Sequence, residues 1–502
     1  MGKYSHIFDT GHLLQDLKGK SVRGGIYTMG ATVLSQILQL GSIVILARLL
    51  LPEYFGLVSM VTAVVVLAER FKHMGLSTAT IQQAHITHEQ VSTLFWINAS
   101  AGVLIAVMIA GSSKIIASFY EEPSLIPVTM ALSLSFVFGG LNVQHEALLR
   151  RQMKFRALAS AQLLANVLSI GLAIELAMQG FTYWALVWKE VARPAIELVG
   201  IWVACRWWPG LPAPRSGVGP LLRVGRDIVS VDMVYWACRN ADQIFIGKFA
   251  GAYSLGLYRQ AFQLMATPMS QLTYPVGSVA LPSLNVLQDD PDRYQRYYEK
   301  FLRLLSLVSI PLATYMAIFS EDIIHIVLGE KWLEAAWIFR LLAIAALIEP
   351  LLATSSMVMI TQKKTRRFFW WAVMYGVSHV LAFYIGVQWG AIGVAAGYAL
   401  AHYAVMIPSL WIAFRGTPLW IGLFFRAIAM PAIFSLIMAG ILIVLSYNTS
   451  ALHSISRIGI SVLTGGIVYS ALWMMYPRAR KRLFDDASSI LSTFKSAGSA
   501  SK

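Results

Sequence analysis

Inside one mainly apolar run of the chain, Lys189, Arg193 and Glu197 recur every fourth residue, with Glu190 beside them. On a helix that spacing puts all three on one face. An ionised side chain near the centre of a membrane helix costs about 2.5–3.5 kcal/mol on insertion scales, so each must be compensated. The guanidinium of Arg193 suits a phosphate or acidic sugar, whose oxygens its fork meets bidentately. The competing use is an internal Arg–carboxylate pair that joins helices. Pro194 is expected to kink this helix and free carbonyls there.

The next apolar run repeats the theme. Asp232, Tyr235, Arg239 and Asp242 are spaced three, four and three, again one stripe, with Arg239 near the middle. A third cluster, Glu69, Arg70, Lys72 and His73, closes the second run, where snorkelling to an interface accounts for it equally well. The candidate anion-binding cations are therefore Arg193, Arg239, Lys189, Arg70, Lys72 and, further out, Arg259. Asp232, Asp242 and Glu349 are the candidates for coupling to an ion. Arg340 is expected at an interface, and His379 and His402 are expected to be hydrogen-bonded packing residues rather than proton relays.

Other chemistry finds no support. Gly19-Lys20-Ser21 lacks the phosphate loop's preceding glycine, because Leu14 stands five residues before Gly19, and no strand precedes it. Cys205 and Cys238 have no metal-ligand spacing, and no hydrolytic Ser, His and acid constellation is apparent. The reading is of a non-enzyme that needs no cofactor and no metal.

The elements that position these residues follow from composition. Only 13% of the 502 residues are charged and 57% are hydrophobic, which excludes an ordinary soluble protein. Runs of about 18 or more apolar residues number fourteen. The first six are Gly24–Ala47, Tyr54–Met74, Val91–Ser112, Ser124–Val143, Ala157–Met178 and Tyr183–Cys205. The rest are Asp227–Phe249, Ser254–Leu281, Phe301–Phe319, Ala335–Thr361, Phe368–Val387, Ala391–Phe414, Ala427–Ser446 and Ile455–Tyr476. They are continuously apolar, not alternating, so the expected fold is an all-α polytopic membrane protein with about 14 transmembrane helices. The loops left over are too short for a folded soluble domain, which needs about 50 residues.

Positive charge sets the orientation. On one side of this arrangement lie 28 of the 40 Lys and Arg residues, which makes that side and both termini cytoplasmic. The net charge of +15 is then a matter of topology, and no nucleic-acid partner is implied. Residues 206–226, with Pro209, Pro212, Pro214 and Pro220, read as a cytoplasmic linker between an N-terminal six-helix lobe, 1–205, and a second, 227–414. Two additional helices, 415–476, and a basic tail, 477–502, complete the chain.

A shift of 200 residues aligns Arg48, Gly56 and Leu57 with Lys248, Gly256 and Leu257, and superposes the first two spans of each half in the same orientation. Two parallel six-helix repeats around a central cavity are expected. Arg48-Leu49-Leu50, Pro52-Glu53-Tyr54-Phe55-Gly56-Leu57, Asn240-Ala241-Asp242-Gln243, Leu255-Gly256-Leu257-Tyr258, Leu281-Pro282-Ser283-Leu284 and Asp289-Asp290 follow in order. With them the chain resembles the polysaccharide-exporter (Wzx-like) branch of the multidrug/oligosaccharidyl-lipid/polysaccharide flippase superfamily. The resemblance implies a bacterial inner-membrane flippase for an undecaprenyl-pyrophosphate-linked oligosaccharide destined for exopolysaccharide or lipopolysaccharide. It also implies membrane lipid and polysaccharide polymerase or export proteins as partners.

Two rivals stand beside it. A cation-coupled multidrug exporter of the same superfamily would favour carboxylates in its cavity, whereas Arg and Lys dominate here. A membrane glycan polymerase or ligase would need a large external catalytic loop, and the longest one expected has about fifteen residues. The orientation is testable by reporter fusions. Those after Phe484 and within residues 362–367 should read as cytoplasmic and one at Asn448 as external; an external signal at Lys363 would overturn it.

Overall fold

The computed structural model describes residues 17–73, 86–213, 219–449 and 452–477, with positions 8, 77, 80, 81, 83 and 480. All regular elements among them are helical. In chain order they are α1 Leu17–Leu49, α2 Pro52–His73, α3 His88–Gly111, α4 Ser113–Tyr120, α5 Leu125–Arg151, α6 Phe155–Met178, α7 Tyr183–Cys205 and the long α8 Gly219–Val286. There follow α9 Pro291–Ile318, α10 Ser320–Val327, α11 Ala335–Ala346, α12 Glu349–Leu352, α13 Thr354–Thr361, α14 Thr365–Gly386, α15 Gly390–Phe414, α16 Ile421–Asn448 and α17 Ser454–Met475. Each of the fourteen expected segments falls on helix. Asp227–Phe249 and Ser254–Leu281 share α8, which is broken at Gly251, where φ is +80° and glycine is the residue that fits.

Among the described residues, nine stretches are long and apolar enough to cross a membrane, and one of them, Thr365–Phe414, takes in both α14 and α15. The helix α7 is not among these nine, because its four charged side chains set it apart. Pro194 lies inside α7. The expected span Ala335–Thr361 is one of the nine and is built from three helices, α11, α12 and α13, with the break just before Glu349 and Pro350. There the Ile348 amide donates to the Ala345 carbonyl, and the Tyr403 hydroxyl donates to the Ile344 carbonyl at 3.0 Å.

The chain forms two compact units, residues 1–256 and 257–502. In the first, a core of Val91, Leu94, Phe95, Leu148, Leu149, Leu158 and Ile201 joins α3, α5, α6 and α7. Onto it folds the start of the segment read as a linker. Trp207 is buried, its Nε1 donates to His88 Nδ1 at 3.1 Å, and its carbonyl accepts from His145 Nε2 at 3.1 Å. The amides of Gly210 and Ala213 donate to the hydroxyls of Ser92 and Thr93, both at 2.9 Å. Residues 206–213 are thus strapped to the first unit, and α8 begins at Gly219.

In the second unit, buried Tyr294 and Tyr298 on α9 hydrogen-bond Thr361 and Thr354 on α13 at 2.7 and 2.8 Å. The last two helices also pack on α9. Tyr469 on α17 donates to the Leu307 carbonyl at 2.9 Å, and Tyr315 pairs with Ser461 at 2.8 Å. Arg457 at the start of α17 lies 2.9 Å from Asp322 on α10. Burial pushes the Asp322 carboxyl up, and the Arg457 charge opposes that shift.

The glycines at the 200-residue offset make a reciprocal contact inside the first unit. A Cβ at Gly56 would overlap the Ala252 carbonyl oxygen, and one at Gly256 would overlap the Pro52 carbonyl oxygen. Positions 52 and 252 stand at the same offset as 56 and 256, so two matching turns touch backbone to backbone. Beside them Lys248 pairs with Glu121 at 2.6 Å, holding that carboxyl below the usual carboxylate range. Because neither backbone can yield, Gly56→Leu or Gly256→Leu should lower stability by about 1–3 kcal/mol. Gly41→Leu, where nothing lies within 4 Å, should not. Melting of the purified variants in detergent makes the comparison.

Candidate functional site

The charged helix α7 lies in the first unit against α6, and α6 against α1. Along these contacts runs a file of polar side chains. On α1, Ser35 Oγ accepts from Asn166 Nδ2 of α6 at 3.1 Å. One turn along α6, Gln162 Nε2 donates to the Glu197 carboxylate of α7 at 3.2 Å. Lys189 Nζ stands 3.6 Å from its neighbour Glu190. Helices facing lipid gain nothing from such groups, whereas interhelical hydrogen bonds between them do bind the helices together.

Arg193 differs from the rest of its stripe. It is exposed, and among the described residues it forms no hydrogen bond or ion pair. Its i+4 neighbour Glu197 is engaged by Gln162 instead. The expected alternative, an Arg193–carboxylate pair gluing helices, is not made among the described residues, which do not include the side chain of Asp232. A guanidinium that is always charged and has five unused donors stands beside Lys189 on the polar file. This is an arrangement that can receive an anion.

The other candidates are dispersed. The side chains of Arg70, Lys72, Asp232 and Arg239 lie outside the described residues. Asp242 is buried, and its Oδ1 accepts from the Gln243 amide at 2.8 Å. Arg259 is half-buried in the second unit, as is Glu349 at the start of α12. Arg340 donates to Ser320 Oγ at 3.0 Å and to Glu321 at 3.3 Å, and lies 4.5 Å over the Trp337 ring. It acts as a clamp on α10. Gln162, Asn166 and Ser35 were not singled out from the sequence. They carry no charge, and the only signal for them was two amides and a hydroxyl within otherwise apolar runs.

The model of the family described as "Polysaccharide biosynthesis protein" matches residues 45–337, more than half of the chain. The chain belongs to the polysaccharide biosynthesis protein family. Teichuronic acid biosynthesis protein TuaB of Bacillus subtilis (strain 168) is 28% identical over 425 residues, 83% of this chain and 88% of that protein. Lipopolysaccharide biosynthesis protein WzxC of Escherichia coli (strain K12) is 23% identical over 406 residues, covering 80% and 82%. Among solved structures, lipid II flippase MurJ in an inward closed conformation aligns with a TM-score of 0.73 and 16% identity, covering 90% of this chain and 99% of that one. An inward-facing multidrug resistance MATE family transporter of the MOP superfamily aligns at 0.59 and 14% identity, covering 76% and 94%. The fold is that of the MOP superfamily.

The stretch matched to the polysaccharide biosynthesis family takes in the whole file from Gln162 to Glu197, while Glu349, His379 and His402 lie beyond it. The different bonding of Arg193 and Glu197 leads to different expectations for stability. Gln162→Leu, which removes a donor from a carboxylate, should cost about 1–3 kcal/mol. Arg193→Gln, with no partner among the described residues to lose, should change stability by less than about 0.5 kcal/mol. Melting of both variants in one detergent checks the contrast.

Proposed function

We propose that this chain is a flippase that moves an undecaprenyl-pyrophosphate-linked oligosaccharide across the bacterial inner membrane, from the cytoplasmic to the outer leaflet. The observation that carries the reading is Arg193, a charged guanidinium with no partner among the described residues, on a helix whose other ionised side chains have neighbours. Family membership supports it, as does the naming of the relatives for polysaccharide biosynthesis. MurJ, whose fold the chain shares, is named as a lipid II flippase.

In this reading Arg193 and Lys189 receive the pyrophosphate, with Arg239, Arg70, Lys72 and Arg259 as further cations along the path. A low dielectric makes each contact stronger than in water. Sugar hydroxyls exchange water for amides and hydroxyls such as Gln162, Asn166 and Ser35. The polyprenyl tail stays in lipid, beside α16 and α17, which expose Leu436, Val444 and Ile467. The fourteen helices all cross the membrane, with both termini cytoplasmic. Two six-helix repeats alternate access to the two sides, an arrangement supported by the reciprocal Gly56 and Gly256 contact.

No bond is made or broken. A potential negative inside favours outward movement of the anion by about 2.3 kcal/mol per charge per 100 mV. Asp232, Asp242 and Glu349 are the carboxylates for a counter-moving cation.

The test is reconstitution of the full chain into vesicles with a labelled lipid-linked oligosaccharide, scoring its arrival in the opposite leaflet. Wild type should flip it. Arg193→Gln should be slower by about ten- to hundredfold, the loss of one charge-assisted hydrogen bond worth about 1.5–3 kcal/mol. Arg193→Lys should recover part of the rate, keeping the charge without the fork. No flipping by wild type, or an unchanged rate in Arg193→Gln, would overturn the proposal.

A further inference from the structure

The second unit holds two imidazoles in direct contact, buried between helices that cross the membrane. His379 on α14 and His402 on α15 are 3% and 0% exposed, and His379 Nε2 lies 3.0 Å from His402 Nδ1. The remaining ring nitrogens are also engaged. His379 Nδ1 faces the Tyr375 carbonyl at 2.8 Å, and His402 Nδ1 also faces the Tyr398 carbonyl at 2.9 Å. His402 Nε2 meets the Tyr375 hydroxyl at 2.8 Å.

These partners settle the protons. A nitrogen that faces a carbonyl must carry hydrogen, so both Nδ1 atoms are donors. His402 Nδ1–H is shared between the Tyr398 carbonyl and His379 Nε2, and the Tyr375 hydroxyl donates to His402 Nε2. Both rings are then neutral and every nitrogen is satisfied.

The same geometry has room for one more proton. Placed on His402 Nε2, it requires only that the Tyr375 hydroxyl turn from donor to acceptor. The new imidazolium then donates through Nε2 to Tyr375 and through Nδ1 to His379, whose neutral Nε2 becomes a stronger partner for the charged donor. A second proton has no place. It would have to sit on His379 Nε2, setting two N–H groups and two positive rings face to face at 3.0 Å.

Packing alone does not account for the pair. A Cβ at Gly386 would overlap the Gly393 carbonyl, and one at Gly393 would overlap the Gly386 carbonyl, so α14 and α15 already meet backbone to backbone. A further contact of that kind joins Gly397 to Ala382. Intramembrane imidazoles are costly where apolar residues would fill the space, and they mark proton pathways.

One carboxylate and several cations lie on the neighbouring elements. Glu349, at the break before α12, is within electrostatic reach of His379. Arg340 on α11 is turned onto Ser320 and Glu321, and Arg426 on α16 is exposed. Lys364 and Arg367 cap the Arg415 carbonyl where the two helices end. Arg259 lies half-buried on the 257–286 part of α8, and α13 carries no charge.

We propose that His379 and His402 form a single-proton binding site, through which an inward proton gradient is coupled to movement of the substrate. The coupling rests on the flippase reading; binding of the proton does not.

Two measurements on the full chain separate the two. In the first, the protein with 15N-labelled histidine is titrated by NMR from about pH 8 to 4, because burial disfavours the charged ring. The resonances of His379 and His402, assigned among the ten histidines by their loss in His379→Gln and His402→Gln, should move together with uptake of one proton. Two neutral rings throughout, or two protons bound independently, would overturn the site. This arm needs only one of the two variants to fold, since assignment from it locates the coupled partner.

In the second, vesicles held at zero potential are given an inward proton gradient. Wild type should flip faster with the gradient, and His402→Gln should lose that acceleration while keeping its rate without one. Equal acceleration in His402→Gln would overturn the coupling. Uptake of one proton by a wild type that flips no lipid-linked oligosaccharide would support the site and overturn the flippase reading instead.

Discussion

Lipid offers no hydrogen bonds, and most of this molecule follows from that lack. Each backbone amide inside the membrane must find its partner within its own helix, which is why the regular structure described is entirely helical. Side chains obey the same rule. Asn166 finds Ser35, Gln162 finds Glu197, Tyr294 and Tyr298 find threonines, and the break before Glu349 is met by the Tyr403 hydroxyl. Against that background Arg193 is the exception, an exposed guanidinium without a partner among the described residues.

Close packing supplies what the hydrophobic effect cannot between helices already in an apolar solvent. Glycine pairs do this at two places. Gly56 and Gly256 bring two turns of the first unit together, and Gly386 and Gly393 lock α14 to α15 in the second. In each case carbonyl oxygens lie where a side chain would stand.

Hydropathy made most of the helices legible, because runs such as Ala391–Phe414 have no other solution in lipid. It placed their ends less well. The helix α9 begins at Pro291, ten residues before the apolar run, because Asp290 caps it and its first turns are polar. Short helices such as α4 and α10 are too brief for any apolar window. The strap at 206–213 was hidden by its prolines, although Trp207 among them was a sign of burial. Pro350 beside Glu349 marked the break in the expected tenth span, but continuous hydropathy across it masked the signal. In the site, charge made Lys189, Arg193 and Glu197 visible, whereas the partner of Glu197 is an uncharged amide 35 residues away, which no local pattern reveals.

The central proposal is that Arg193, without a partner among the described residues, receives the anionic head group. The most direct measurement is the affinity of purified protein for an undecaprenyl-pyrophosphate-linked glycan, compared between wild type and Arg193→Gln of equal melting temperature. The account predicts binding weakened about tenfold or more in the variant. Equal affinity in a folded Arg193→Gln protein would contradict it.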